Sequence, residues 1–224
     1  MAPDQPMHMA GTAWDFPTSG SGWIRSTTTG TRTFTDGTRE AIDDKTYDYE
    51  TYSLSDAPGL SVQVVRTDSE SYNPSGDQVG TGWHLTGIAT NGVIYVHSDA
   101  NPPTWEAFLP ARVVAGDRWR KEISSEWLGQ AIWDYSVIAT TATSPNGYTD
   151  CIHLRGSLVG GKPGAAPAFI TVYSLKTSGD IYIKPGVGMV WSSSTDDLDA
   201  TIFGTRMREQ TSGIDERISA RLGV

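Results

Sequence analysis

The feature that most constrains the fold is an alternation of apolar and polar side chains that recurs along most of the chain. It is clearest in residues 46–52, where Tyr47 and Tyr49 fall on one side and acidic residues on the other. Residues 60–66 repeat the pattern. A period of two is typical of a strand with one buried face. The sequence therefore predicts a fold built from strands.

Turn-forming residues separate these segments. Asn91-Gly92, between the apolar segments 83–88 and 93–97, predicts a hairpin because both residues tolerate positive φ. About twelve to fourteen short strands without intervening helices indicate an antiparallel fold. We expect an all-β protein with one large curved sheet, a half-barrel or barrel-like; a β-sandwich is the alternative. Further turns are predicted at 56–59, 144–147 and 178–180, with strand breaks at Gly30 and the acidic loop 194–199.

Three segments differ in composition. Residues 1–22 are rich in Pro, Gly, Ser and Thr and predict an irregular arm. Residues 23–211 form the predicted single β domain. Residues 212–224 predict a C-terminal helical tail, because apolar residues recur there every four positions. That stripe consists of Ile214, Ile218 and Leu222.

Charge and cysteine content exclude several classes of protein. With 17 basic and 26 acidic residues the net charge is −9, and the basic residues are scattered, so no nucleic-acid partner is expected. Cys151 is the only cysteine, which excludes an internal disulfide and a cysteine metal cage.

No apolar stretch approaches the length of a transmembrane helix, and the first residues lack the features of a signal peptide. The expected location is extracytoplasmic if a leader has been removed. Otherwise we expect cytosolic synthesis and assembly into a particle.

No catalytic motif is present. His97-Ser98-Asp99 has suitable residue types, but neighbours on a strand point to opposite faces and cannot form a relay. Cys151 and His153 share a face, but nothing nearby in sequence lowers the pKa of the thiol. The chain is therefore expected not to be an enzyme.

Metal and cofactor motifs are also missing from the sequence. The four histidines have no ligand spacing, although His84 and His97 lie on the two arms of the predicted hairpin. The acidic residues 194–199 lack the glycine and terminal glutamate of a calcium loop and are interpreted as a solvated hairpin loop. We predict no metal and no cofactor.

Four motifs in the second half follow a recognisable order: Leu109-Pro110, Gly-Asp-Arg-Trp at 116–119, Gly-Tyr-Thr-Asp-Cys at 147–151, and Tyr-Ile-Lys-Pro-Gly-Val-Gly-Met-Val at 182–190. This order resembles bacterial extracytoplasmic proteins of the lipoprotein-carrier-like class over residues 105–192. The resemblance implies an antiparallel sheet wrapped into a half-barrel, with a helix in or beside its mouth. The chain departs from that class in having no lipobox cysteine and little predicted helix.

Two functions fit these observations. The first is a non-enzymatic domain that binds an apolar or amphipathic ligand, or a partner protein, on the concave face of its sheet. The second is a structural assembly subunit, of a virion or a surface appendage, that forms a homo-oligomer through its terminal arms. Alternation selects the following aromatic and apolar residues for the binding face: Tyr47, Tyr49, Trp83, Leu85, Trp133, Tyr135 and Tyr173.

Overall fold

The computed structural model contains only strands, turns and bends in the part of the chain that it describes. The described residues are 8–9, 17, 19–55, 63–88, 94–97, 105–110, 112–125, 129–161 and 169–219. The strands are β1 His8–Met9, β2 Gly20–Phe34, β3 Arg39–Ser55, β4 Gln63–Tyr72, β5 Gln78–Ile88, β6 Ile94–His97, β7 Trp105–Leu109, β8 Arg112–Val113, β9 Arg118–Ser125, β10 Gly129–Ala142, β11 Cys151–Gly160, β12 Ile170–Lys184, β13 Gly188–Ile202 and β14 Thr205–Ile218.

Twelve of these strands form one open antiparallel sheet in the order β7-β6-β5-β4-β3-β2-β14-β13-β12-β11-β10-β9. The first and second halves of the chain each fold as a meander of neighbouring hairpins. The pairing of β14 with β2 joins the two meanders into a single sheet. The prediction of one large antiparallel sheet is confirmed, and the alternative of a sandwich is not the arrangement found.

The predicted C-terminal helix is wrong for the described residues. β14 continues to Ile218 and pairs with β13 on one side and β2 on the other. A spacing of four residues places Ile214 and Ile218 on one side of a strand as well as on one side of a helix. The spacing of these residues is therefore compatible with a helix and with a strand. The segment forms a strand because it pairs with β13 and with β2. Leu222 lies outside the described residues.

Two glycines that predicted breaks lie inside continuous strands. Gly30 is within β2 and Gly179 is within β12. A Cβ at Gly179 would lie 1.8 Å from the carbonyl oxygen of Ser193, and one at Gly30 would lie 2.1 Å from that of Gln210. Glycine in a strand interior often marks such a close backbone approach, and here it lets the sheet bend.

The acidic residues 194–199 lie inside β13, so their interpretation as a hairpin loop is wrong. The turn comes later, at Phe203-Gly204, where both residues have positive φ. The aspartates are accommodated because arginines of β14 pair with them across the strands. These pairs are Arg206 with Asp199 at 2.9 Å and Arg208 with Asp197 at 2.6 Å.

The predicted β5–β6 hairpin and the turn at 144–147 are confirmed, whereas the turn predicted at 56–59 lies outside the described residues. β5 and β6 form the predicted hairpin, with Ile88 opposite Ile94, while Asn91-Gly92 itself lies outside the described residues. Gly147 N–H donates to the carbonyl of Ser144 at 2.9 Å and closes the turn between β10 and β11.

The register assigns side chains to two faces. Residues that are directly opposite each other on neighbouring strands have their side chains on the same face of the sheet. Tyr135 is opposite Gly156, and successive partners lead from there through Gly179 of β12 to Asp44 of β3, so all of them belong to one face. Tyr47 is three residues from Asp44 and therefore lies on the other face. We call the face of Tyr135 the inner face, because at Gly179 the neighbouring strand approaches from that side. The face of Tyr47 is the outer face.

The inner face is filled with apolar side chains at the end of the sheet where β11 begins. Leu154 and Ile152 are fully buried there, and Trp119 packs against the cluster. Full burial of such side chains contributes about 1.5–3 kcal/mol each. The cluster consists of Val113, Val137, Ile152, Leu154 and Ile183.

Replacing Gly179 by alanine tests whether close strand approach bends the sheet. We expect Gly179→Ala to lower the free energy of unfolding by about 2 kcal/mol or more, because the added Cβ would overlap backbone. Gly80→Ala is the control, since its Cβ would meet nothing nearer than 3.8 Å. We expect a change within about 0.5 kcal/mol for that variant. Urea unfolding measures both, and equal effects would contradict the proposed origin of the bend.

Candidate functional site

A cavity of about 180 Å³ lies on the inner face at the end of the sheet where β2 begins. Side chains from β2, β3, β4, β5 and β14 form its wall, and the turn between β12 and β13 closes it. We call this space the inner cavity. Its lining residues are Pro17, Ile24, Glu50, Tyr52, Thr67, His84, Val187, Gly188, Met189 and Arg217.

A chain of hydrogen bonds crosses one wall of the inner cavity. Arg217 Nη2 donates to the hydroxyl of Tyr52 at 2.5 Å, and that hydroxyl donates to Glu50 Oε2 at 2.5 Å. Arg217 Nη2 also lies 3.8 Å from Glu50 Oε2. Only 11% of the Arg217 side chain and 18% of the Glu50 side chain are exposed. These groups satisfy one another in a largely desolvated place, as buried charges require.

The local structure explains why Arg217 occupies this position. Its side chain crosses Gly22, where a Cβ would lie 2.0 Å from Arg217 Nη1. Arg217 Nε donates to the carbonyl of Met189 at 3.4 Å. Asn146, in the turn between β10 and β11, donates through Nδ2 to the carbonyls of Val190 and Arg217, at 2.7 and 3.3 Å. The carbonyl of Met189 therefore fixes the guanidinium, and Asn146 fixes the backbone that carries it.

Burial determines the protonation state of the phenol. Desolvation, assisted by the hydrogen bond to Glu50, raises the pKa of Tyr52 to about 12. Tyr52 is therefore a neutral hydroxyl at physiological pH. Since Arg217 and Glu50 carry opposite charges, the polar wall has little net charge, and the exposed His84 lies at the edge of the cavity.

The remaining wall is apolar. Ile24 is 7% exposed, and Val187 of the turn and Met189 at the start of β13 line the same space. A concave space with an apolar wall and a few fixed polar groups is typical of small-molecule sites. The arrangement can therefore hold a small molecule with one polar and one apolar part.

The seven predicted binding residues do not form one surface. By register, Tyr47, Tyr49, Trp83 and Leu85 belong to the outer face, whereas Trp133 and Tyr135 belong to the inner face. None of the seven lines the inner cavity. Alternation shows which residues of one strand share a face, but only the pairing of the strands shows which of those faces coincide.

Several of the seven are engaged in packing. Tyr47 is 5% exposed, and Tyr49 packs on Trp23 with ring centroids 4.9 Å apart. The Arg66 guanidinium lies over the Trp83 ring at 5.0 Å. Tyr173 lies under the guanidinium of Arg206 at 4.5 Å. Tyr135 is stacked between two other rings, those of Trp119 at 5.3 Å and Trp133 at 5.5 Å.

The alternation analysis missed Tyr52, His84 and Arg217. Glu50 and Tyr52 do share a strand face two residues apart, which was a usable signal. Arg217 could not be found, because the spacing of its segment predicts a helix and its side-chain partners Tyr52 and Glu50 are 165 or more residues away in sequence.

Cys151 and His153, which were considered as a catalytic pair, do not bond each other. Cys151 is buried, its Sγ donates to the carbonyl of Tyr148 at 3.3 Å, and burial raises the pKa of its thiol. His153 instead bonds Asp180, with Nε2 and Oδ1 2.8 Å apart. Cysteine and histidine therefore have separate partners. Ser98 and Asp99 lie outside the described residues.

Within the described ranges, no group of three or more His, Cys, Asp or Glu could hold a metal ion. The register of β5 and β6, with Thr86 opposite Val96, does not place His84 opposite His97. In the same part of the chain no helix is long and apolar enough to cross a membrane.

Comparison with known proteins gives structural likenesses only. No protein-family model matches the sequence, and no curated relative matches it. A candidate lipoprotein from Parabacteroides distasonis has 16% identity and a TM-score of 0.48, over 92% of this chain and 99% of that one. A candidate exported protein with a YmcC-like fold from Bacteroides fragilis has 13% identity and a TM-score of 0.46, over 89% and 97%. Likenesses at this level assign no function to this chain.

The elevated pKa of Tyr52 predicts how stability depends on pH. A raised folded-state pKa means that the protonated phenol stabilises the fold fully below pH 10, and that this contribution is lost as the pH rises from 10 to about 12. We expect the free energy of unfolding of the wild type to fall over that pH interval, and that of Tyr52→Phe to fall less. Urea unfolding at a series of pH values measures the slope. Identical slopes for the two proteins would contradict the assignment.

Proposed function

We propose that this chain is a non-enzymatic β-domain that holds a small amphipathic molecule in the inner cavity. The observation that carries the proposal is the opposition of two walls, one formed by the hydrogen-bonded Arg217, Tyr52 and Glu50 and one formed by Ile24 and Met189. The proposal retains the concave face predicted from sequence and assigns it other residues.

Size and charge define the ligand further. The inner cavity, at about 180 Å³, is smaller than the roughly 300–1,000 Å³ usual for drug-sized ligands, so it suits a small molecule or one end of a longer one. A free charge on the ligand would meet both a cation and an anion at the polar wall. We therefore propose a neutral ligand with a hydroxyl or amide group next to an apolar part.

The first experiment is native mass spectrometry of the purified protein, before and after extraction with organic solvent. A monomer with a removable extra mass supports the proposal and gives the mass of the ligand. Since a weak ligand can be lost on purification, a second experiment uses a chosen probe.

The probe is p-cresol, a small ring with one hydroxyl, and binding is followed by ligand-observed NMR. We expect saturable binding to the wild type that is weakened about fivefold in Met189→Gln, because replacing apolar contact by a polar group costs about 1 kcal/mol. Ile138→Gln is the matched control. Ile138 is 43% exposed and does not line the inner cavity, so its substitution leaves p-cresol affinity unchanged.

Two results would overturn this proposed function. One is no saturable p-cresol binding combined with no removable mass in the native spectrum. The other is equal loss of affinity in Met189→Gln and Ile138→Gln, which would place the probe elsewhere on the protein.

A second candidate function, assembly into a homo-oligomer, is favoured by the open sheet. Among the described strands, β7 and β9 end the sheet, and each pairs with one neighbour in it. Unpaired strand edges are templates for pairing with another chain. The C-terminal segment is no longer proposed as an oligomer contact, because its residues 212–218 belong to β14, which lies in the middle of the sheet. Size-exclusion chromatography with light scattering tests this candidate, and a monomer at all concentrations would remove it.

A further inference from the structure

A second and larger cavity, of about 580 Å³, lies at the edge of the sheet between β9, β10, β11 and β12. Seven of its ten lining residues have side chains on the outer face, and the other three belong to β9, β10 and β11. We call it the outer cavity. The outer-face residues are Arg118, Arg120, Asp134, Ser136, Arg155, Ser157 and Ser178.

Arginine side chains are concentrated in this cavity. Three arginines and one aspartate, Asp134, line it. Two more carboxylates adjoin it, Asp180 against Arg155 and Glu122 near Arg120, so Arg118 is the one arginine of the lining that has no ion pair within the described ranges.

Two of the three arginines are held in place by carboxylates. Arg120 pairs with Asp134 through two hydrogen bonds, at 2.7 and 3.1 Å. Arg155 pairs with Asp180 in the same way, at 3.0 and 3.4 Å. The guanidinium groups of both arginines are thereby fixed in orientation. This lowers the conformational entropy that is lost when a ligand binds.

Arg118 differs from both. It makes no hydrogen bond or ion pair within the described ranges. The register places it opposite Ser136, and Ser136 opposite Arg155, so that a hydroxyl lies between two guanidinium-bearing positions. The two outer positions are roughly 10 Å apart by strand spacing, which long arginine side chains can bridge around a small anionic group.

The floor of the outer cavity is made rigid from the other side. Trp119 stacks on Tyr135, and Tyr135 stacks on Trp133, so the rings tie β9 to β10 on the inner face. The Tyr135 ring lies over Gly156 of β11, where a Cβ would be 3.2 Å from it, so the ring packs closely on that strand. Sites placed on such packed strands are preorganised for binding.

We propose that the outer cavity binds a polar molecule through an oxyanion group, a carboxylate, phosphate or sulfate, with Arg118 as the principal contact and Ser136 and Arg155 beside it. Arginine presents paired donors that match the geometry of such anions. The volume exceeds that of an inorganic ion, so the remainder of the ligand lies against Ser157 and Ser178. This site is separate from the inner cavity and does not depend on the function proposed there.

The test uses citrate, inorganic phosphate and inorganic sulfate as probes, each titrated by calorimetry and by amide NMR at low ionic strength. We expect at least one of them to bind with a single site, and the affinity to fall as salt is added because the contacts are exposed. Amide shifts are expected at residues 118–120, 134–136 and 155–157. The probe that binds best identifies the anion class.

Arg118→Gln is the decisive variant, and Arg208→Gln is its control. Arg208 is also on the outer face, is similarly exposed and pairs with Asp197, but lies outside the outer cavity. We expect Arg118→Gln to weaken binding about tenfold, the effect of removing a charged hydrogen bond, and Arg208→Gln to leave it unchanged. Because the Arg118 side chain is exposed and makes no hydrogen bond or ion pair within the described ranges, its loss leaves the fold intact.

Either of two results would overturn this inference. One is the absence of saturable binding of all three probes to the wild-type protein at low ionic strength. The other is equal weakening by Arg118→Gln and Arg208→Gln, which would indicate a general attraction of anions to the outer face. Loss of p-cresol binding at the inner cavity would affect neither result.

Discussion

The close approach of neighbouring backbones in the middle of the sheet is the constraint on which the rest of the structure depends. At Gly179 and Gly30 there is no room for a side chain, because the next strand lies where a Cβ would be. Glycine costs conformational entropy in a strand, so its presence at these positions indicates a geometric need. The bend that results gives the sheet an inner face, and it brings the turn between β12 and β13 to the same cavity as His84 of β5.

That bend also explains how a charged group comes to be buried in a sheet of ordinary composition. Arg217 is near the end of β14, yet it reaches Tyr52 and Glu50 of β3 across β2, and Gly22 of β2 leaves the space it crosses. Removing one member of such a group leaves the others unpaired in a desolvated place. The cluster therefore couples the ends of three strands, and it defines the polar wall of the inner cavity.

The two faces of the sheet offer different chemistry. The inner cavity has a nearly neutral polar wall and an apolar wall, whereas three arginines and three serines line the outer cavity. The aromatic stack of Trp119, Tyr135 and Trp133 joins β9 to β10 beneath the outer cavity, and its Trp119 also packs against the apolar core cluster. One sheet can in this way support two independent binding sites, each testable without the other.

The sequence by itself determined the fold class, because alternation with period two and turn residues such as Asn91-Gly92 and 144–147 are local properties. It could not distinguish the helix at residues 212–222 from a strand, since a spacing of four suits both. It also could not separate a glycine that makes a turn from one, such as Gly179, that permits close approach. Which strands become neighbours depends on contacts distant in sequence. Tertiary structure alone therefore decided the pairing of β14 with β2, the two faces, and the meeting of Arg217 with Glu50.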